Sequence, residues 1–309
     1  MKLKTAVLLL CGCMAVFGQF TRGVLVGNVS DPSGSAVSGA SVTVTDEQRN
    51  TTFKVATGPE GQYTVTNLDP GTYRVAVEAK GFKTGTVSDV ALNVNQTARV
   101  DVRLQVGDVS TSVSVDATSP MVQSETASIG SVVDNRQIQT MPLNGRGNMY
   151  SLLALAPGVL RSAQNPIVSA SGVWFGSTNV TIDGAANIDY GNERLGPGTP
   201  SIEALSEFKV IGNGASAEFG RGGAQIVVAT KSGTNQTHGS LFAFNRNRAL
   251  SAKNFFATGL PKPAFNRNEF GGTIGGPVVK DKLFYFASFE GLRRIGSSTF
   301  TMLQPTMAQ

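Results

Sequence analysis

Between residues 22 and 105 apolar and polar side chains alternate with a period of two, in short runs. GVLVGNVSD, ASVTVTD, TTFKVAT, QYTVTNL, TYRVAVEAKGF and ARVDVRLQV each set one row of residues, such as Val42 and Val44, on one side of an extended chain. Turn chemistry separates the runs at Pro32-Ser33-Gly34, at Gly58 to Gly61 and at Asp69-Pro70-Gly71. Strand runs recurring about every ten residues predict an antiparallel β-sandwich of about seven strands, each burying one face.

The pattern changes after Gln105. In QVGDVSTSVSVDATSP, Thr111, Val113 and Val115 project to one side of an extended segment and Ser112 and Ser114 to the other, until Pro120 breaks it. Such a segment can add to the sheet edge of another protein or serve as a plain interdomain strand, and the pattern leaves both open. From 120 to 238 a small α/β domain is expected. Its parts are a short helix with Ile138 and Met141 on one side, glycine turns at Gly145 and Gly147, and a second helix carrying Leu152, Leu153 and Leu155. Then come a strand entering a turn at Asp183-Gly184, a Ser201 cap with Ile202 and Leu205 inward, and the apolar central strand AQIVVAT. From 239 to 309 aromatic strand-like pieces follow: GSLFAFNRN, NEFGGTIGG and KLFYFASFEGLR.

Composition sharpens this picture. The 36 glycines and only 15% charged residues, with β-branched and aromatic residues between them, indicate turn-rich β structure rather than disorder. MKLKTAVLLLCGCMAVFGQF has Lys2 and Lys4, an apolar core and a small residue at Gly18, which reads as a secretory leader over 1–18; lipidation at Cys13 is the alternative. Both cysteines, Cys11 and Cys13, lie in that leader, so the exported chain has no disulfide or thiolate site. A net charge of +5, two of it on Lys2 and Lys4, with no long basic run, speaks against nucleic acid. No later stretch of about eighteen apolar residues occurs, so membrane entry would be by strands.

Candidate chemistry is sparse. His238, in a polar turn without a neighbouring carboxylate or cysteine, builds no zinc site. FGRGGAQ and FGGTIGGP lack the Lys-Ser/Thr of a phosphate loop, and no Gly-x-Ser-x-Gly elbow appears. No catalytic residue, cofactor or metal is expected.

Gly27, Val29, Asp31, Gly34, Ala40, Val42, Val44, Gly61, Tyr63, Leu68, Gly71, Tyr73, Val75, Val77, Gly81 and Phe82 together resemble the carboxypeptidase regulatory-like domain, a transthyretin-like, Ig-like sandwich over 19–105. Its fold is shared with some carbohydrate-binding modules, but Tyr63, Tyr73 and Phe82 are expected in the core. PLNGRGNMYSLLALAPGV, VTIDGAANID, IEALSEFKVIGNGASAEFGRGGAQIVVATKSGTNQTHGSLFAFNRN and LSAKNFF resemble the plug and first barrel residues of TonB-dependent outer-membrane receptors of the Oar-like type. The resemblance implies a plug over 120–238, with Asn144, Gly145, Arg146, Asp183, Gly184, Glu218, Gly220, Arg221, Gly222 and Gly223 as its motif residues, and the start of a transmembrane barrel over 239–309. A plug needs close backbone approach and satisfied polar groups rather than a nucleophile. Glu218 and Arg221 can pair with each other or with the barrel wall, or be ordinary surface charges.

Within 106–119, STSVSVDAT stands where that family carries its energy-coupling box, which maps to Thr111, Val113, Val115 and Ala117, with Asp116 departing from the pattern. The implied partners are a TonB-type periplasmic energy-coupling protein, the outer membrane, and a ligand of unassigned chemistry, glycan and peptide being candidates. The last 71 residues supply four or five spanning strands at most, whereas closed barrels need about eight or more. The expectation is therefore a mainly β, N-terminal portion of an energy-coupled transporter, with an incomplete barrel. The alternative is a secreted carbohydrate-binding or adhesion sandwich protein.

Overall fold

The computed structural model describes residues 22–107, 112–116, 129–133, 135–140, 149, 158–161, 168–170, 172, 177–189, 194–196, 198–213, 215, 223–253 and 262–296. The leader over 1–18, Met141, the turns at Gly145 and Gly147 and the helix expected around Leu152 lie outside them.

The first part is a two-sheet sandwich. Its strands are β1 (Gly23–Ser30), β2 (Ser41–Asp46), β3 (Thr52–Ala56), β4 (Gln62–Leu68), β5 (Gly71–Glu78), β6 (Thr84–Leu92), β7 (Thr97–Arg99), β8 (Val102–Arg103) and β9 (Ser112–Asp116). One sheet runs β4-β1-β7, with β8 also on β1; the other runs β3-β2-β5-β6-β9. The period-two rows meet between them: Leu25 and Val29 from β1 face Val42, Val44, Val75 and Val77 from β2 and β5.

Two departures from the antiparallel expectation have one cause. The turn after β6 carries the chain into the opposite sheet instead of reversing it beside its neighbour. β7 and β8 therefore lie parallel to β1, and β9 lies parallel to β6. The expected single run ARVDVRLQV is split between Arg99 and Val102. At the split the Asp101 carboxylate accepts the Asn28 N–H at 2.8 Å, and the Val100 N–H donates to Val26 O at 2.8 Å.

Tyr63 and Tyr73 are buried in the core as expected. Each phenol donates to a backbone carbonyl at 2.6 Å, Tyr63 to Val100 and Tyr73 to Asp69, so neither ring strands a polar atom. Burial, with nearby carboxylates, pushes both phenols above their ordinary pKa. Phe82 packs half-buried on the same core. Gly27 is required here: a Cβ would sit 1.9 Å from Val100 O, the carbonyl that Tyr63 caps.

The second part contains β10 (Ile129–Val133), the helix α1 (Asn135–Thr140), the hairpin of β11 (Val159–Arg161) and β12 (Val168–Ala170), then β13 (Thr178–Ile182) and β14 (Ala185–Ala186). Next come the short pair β15 (Ile188–Asp189) and β16 (Arg194–Leu195), a 3-10 turn at Ile202–Ala204, β17 (Leu205–Asn213) and β18 (Ala224–Thr230). The main sheet is ordered β10-β17-β18-β13-β14, with AQIVVAT central as its unbroken apolar run predicts. One face buries Phe208, Val210, Ile226 and Val228 against Val133 and Ile138 of α1. The Ser201 hydroxyl accepts from Ala204 N at 3.3 Å, the expected cap, with Ile202 and Leu205 buried behind it. Among the described residues this part is nearly all sheet.

The third part is an antiparallel ribbon of β19 (His238–Asn247), β20 (Phe265–Val279) and β21 (Leu283–Gly296). His238 is thus the first residue of a strand rather than part of a turn.

Candidate functional site

Three features carry potential function: the segment at β9, the junction of the sandwich with the central sheet, and the two faces of the ribbon. Of the expected coupling residues, Val113 and Val115 lie on β9, while Thr111 and Ala117 fall outside the described residues. β9 pairs in parallel with β6 over five positions, from Thr84↔Ser112 to Ser88↔Asp116, with Gly85↔Val113 and Val87↔Val115 between. The segment whose partner run the sequence does not reveal has one in its own chain, about thirty residues upstream in number.

The junction is built by alternation along β17. With Phe208 and Val210 turned into the apolar core, Glu207, Lys209 and Ile211 face the other way. That second face is covered by the sandwich turn after β6: Val94 packs against Ile211, Val227 and Ala229. Lys209 Nζ donates to Asn95 O at 3.0 Å, and the Glu207 carboxylate accepts the Val94 N–H. Both charged residues are buried. Burial pushes the Lys209 ammonium below its usual pKa, and the Glu207 charge partly opposes that shift. A second contact runs from the β2–β3 turn, where Arg49 bridges Asp46 at 2.7 Å and donates to the Ser232 hydroxyl. Asn235 then ties three pieces together. Its N–H donates to Gln48 O at 3.0 Å, and its side chain exchanges hydrogen bonds of 2.8 and 2.9 Å with Asp281 in the β20–β21 turn.

Of the expected plug residues, Asp183 and Gly184 form the β13–β14 turn with positive φ of 48° and 83°, as a tight two-residue hairpin requires. The Asp183 carboxylate accepts from Thr230 N at 2.9 Å and Thr230 Oγ1 at 2.7 Å, which locks the turn to β18. Gly223 is exposed, and its N–H donates to Ser177 O at 3.0 Å. Asn144, Gly145, Arg146, Glu218, Gly220, Arg221 and Gly222 lie outside the described residues. A polar cavity of about 620 Å³ opens where the three parts meet, lined among others by Arg22, Arg49, Asp183, Lys231 and His238. His238 Nδ1 lies 3.0 Å from Gln236 O. Among the described residues no group of three His, Cys, Asp or Glu is placed to hold a metal.

The ribbon has two unlike faces. Register places Leu241, Phe270, Ile274, Tyr285 and Phe289 on one, and all five are exposed. The other carries the rungs Ser240-Thr273-Ser288 and, towards the far end, Arg246-Arg267-Arg294, interleaved with half-buried Phe242, Phe265, Phe284 and Phe286 and exposed Phe244 and Leu292. There Arg267 pairs with buried Glu269, and the Arg246 and Arg294 guanidiniums lie 5.4 and 5.7 Å from the Phe265 ring centre. The sequence showed aromatic strands but not which aromatic residues share a face, because the facing register of two long strands is not written in either alone.

Comparison with known proteins agrees with this geometry. Residues 24–105 match the carboxypeptidase regulatory-like domain, and residues 229–309 match an outer membrane beta barrel domain. Over 93% of its length the chain is 29% identical to the TonB-dependent transporter Oar of Myxococcus xanthus. The chain is thus similar to a TonB-dependent transporter over nearly all of its own length. It spans 28% of the length of that relative. Two solved siderophore receptors named PirA are also similar. The one from Acinetobacter baumannii is 23% identical, covering 52% of this chain and 24% of its own, at a TM-score of 0.40. The one from Pseudomonas aeruginosa is 19% identical, covering 49% and 26%, at 0.34. The barrel match and the transporter homology support a place in the cell outer membrane.

Proposed function

We propose that the chain provides the periplasmic sandwich, the coupling segment, the plug and the first barrel strands of a transporter that takes up a ligand using energy delivered by a TonB-type protein. The observation that carries this reading is the long antiparallel ribbon joined to the central sheet, with Leu241, Phe270, Ile274, Tyr285 and Phe289 exposed together on one face. Such a row suits a barrel wall that meets lipid, with the charged rung Arg246-Arg267-Arg294 on the other side. The 120–238 segment, which packs at the start of β19, is the plug of that lumen.

Orientation follows from loop lengths. Outer-membrane barrels have short periplasmic turns and longer external loops. The β20–β21 turn, residues 280–282, is short, and its Asp281 is held by Asn235 next to the sandwich; the β19–β20 connection, residues 248–264, is longer and at the opposite end. The sandwich therefore stands on the periplasmic side, where a coupling partner can reach β9. The protein catalyses no reaction in this reading, and its ligand, glycan or peptide, is selected by parts of the barrel and its external loops. The glycan-holding alternative for the sandwich is not favoured, because Tyr63 and Tyr73, two of the aromatic residues a sugar would stack on, are consumed by the core.

The test is deletion of residues 111–117 in the outer-membrane receptor, followed by capture with the purified periplasmic domain of the host TonB-type protein. Receptor level in the membrane should hold while capture is lost. Undiminished capture would remove the coupling role from this segment.

A further inference from the structure

In the function above the sandwich serves only as a periplasmic module, yet its pairing with β9 gives it a task. We infer that the edge of β6 is a binding site for the chain's own coupling segment, and that the sandwich shelters this segment until a periplasmic partner takes it over. This rests on the reading of β9 as the coupling segment.

Three observations carry it. The first is the pairing itself, five consecutive parallel partners in unbroken register. A strand held along a sheet edge has its main-chain groups on that side already engaged, so a partner that pairs through that side must first displace β6.

The second is how the chain reaches β6. Just before the segment, Phe82 and Val106 form an antiparallel bridge, Lys83 N donates to Gln105 O at 2.7 Å, and Gly107 N donates to Gly81 O at 3.2 Å. Residues 105–107 are thereby pinned against the start of β6, and only four residues, 108–111, separate that point from β9 in the sequence. A tether that short keeps the segment at an effective concentration on the order of millimolar at its own site, far above any free partner.

The third is the register. Gly85 and Val87, the buried positions of this part of β6, stand opposite Val113 and Val115, and Thr86, half-exposed, stands opposite Ser114. At Gly85 a Cβ would lie 3.0 Å from both Leu104 and Val102, so the strand that receives β9 is itself fitted closely to the sandwich interior. The alternation that reads as a coupling motif in the sequence is the alternation that matches this edge.

The consequence is competition: the partner does not meet a free segment, and its apparent affinity is reduced by the fraction of time the segment spends on β6. The test uses the receptor in outer membranes with T86C and S114C introduced together, the single variants serving as controls for cross-links to any other cysteine, Cys11 and Cys13 included. Mild oxidant should cross-link the pair. Binding of the periplasmic domain of the TonB-type protein should then fall at least tenfold and return on reduction. A second variant, K83P, deletes the donor that pins Gln105 and should raise binding several-fold without touching the segment.

Failure of the pair to cross-link, or unchanged or stronger binding in the oxidised state, would overturn the shelter; the latter would mean that the partner adds to β9 in place. If the cross-link forms but deletion of 111–117 leaves binding intact, the coupling reading fails instead, and the two failures are told apart.

Discussion

The contact between the sandwich and the central sheet hangs on Lys209, and its replacement by methionine is the sharpest test of that junction. Lys209 is 2% exposed and donates to Asn95 O at 3.0 Å. A hydrogen bond from a charged donor contributes about 1.5–3 kcal/mol, and leaving a buried carbonyl without its donor costs about 1–3 kcal/mol. Relief of the ammonium from its dry site offsets part of this, since burial already disfavours its charge. A net loss of about 2 kcal/mol in docking corresponds to about a 30-fold drop in protection. The probe is the Val94 amide, which is buried and donates to Glu207 beside Lys209. In hydrogen exchange of the membrane-embedded receptor, Val94 should exchange about 30-fold faster in K209M, while Val75 in the sandwich core stays unchanged. The double variant E207Q/K209M should lose less than the sum of the two single changes, because an uncharged amide at position 207 needs no compensating charge. If Val94 keeps its protection in K209M, the junction is held by Val94 packing alone and the buried charges are incidental. If Val94 and Val75 lose protection together, the substitution has destabilised the sandwich itself.

Other outcomes follow from the same coordinates. Because the docked Lys209 has a depressed pKa, the undocked state binds more protons between that value and the ordinary 10.5. Docking should therefore tighten as pH rises through this window and weaken as pH falls, a slope that Val94 exchange should lose in K209M. In the isolated sandwich, residues 22–107, G27A should cost about 3 kcal/mol through overlap with Val100 O, whereas G34A, at φ +89° with open space around it, should cost about 1 kcal/mol of backbone strain. Thermal melting separates them, at about 4–8 °C per kcal/mol for a domain of this size; equal shifts would refute the packing argument. On the ribbon, F289R should reduce assembly in outer-membrane fractions by about 2–4 kcal/mol, while S288R, on the opposite face in line with Thr273 and Ser240, should be tolerated. Heat-modifiable electrophoretic migration reads this, and the reverse ranking would exchange the lipid and lumen faces.

What could be read from the sequence was local. Val42 with Val44, the Ser201 cap and the Asp183-Gly184 turn were visible because each is set by residues a few positions apart, where side-chain alternation, capping geometry and positive φ act. The aromatic richness of β19, β20 and β21 showed strands, but which residues share a face depends on facing registers of ten and fourteen pairs that no single run encodes. Nothing local in the sequence marks Glu207 and Lys209 as buried. Only the arrival of Val94 and Asn95, more than a hundred residues earlier, turns that face into an interior.

The parallel partnership of β6 and β9 shows most clearly why the rest was hidden. A hairpin announces itself by the turn that makes it, whereas parallel strands are joined through a detour whose length and path leave no mark at either end. Here the detour passes through the opposite sheet by way of β7 and β8 and returns along residues 105–107 to the start of β6. The STSVSVD run thus had two readings from its alternation alone, a strand for another protein or a strand for this one. The register makes it the second in the state described, and the proposed coupling role would make it the first when a partner arrives. A short strand at a sheet edge is suited to both, since five pairs are enough to hold it and few enough to be exchanged. Its five pairs, rather than any catalytic constellation, are where the chain's function is expected to be decided.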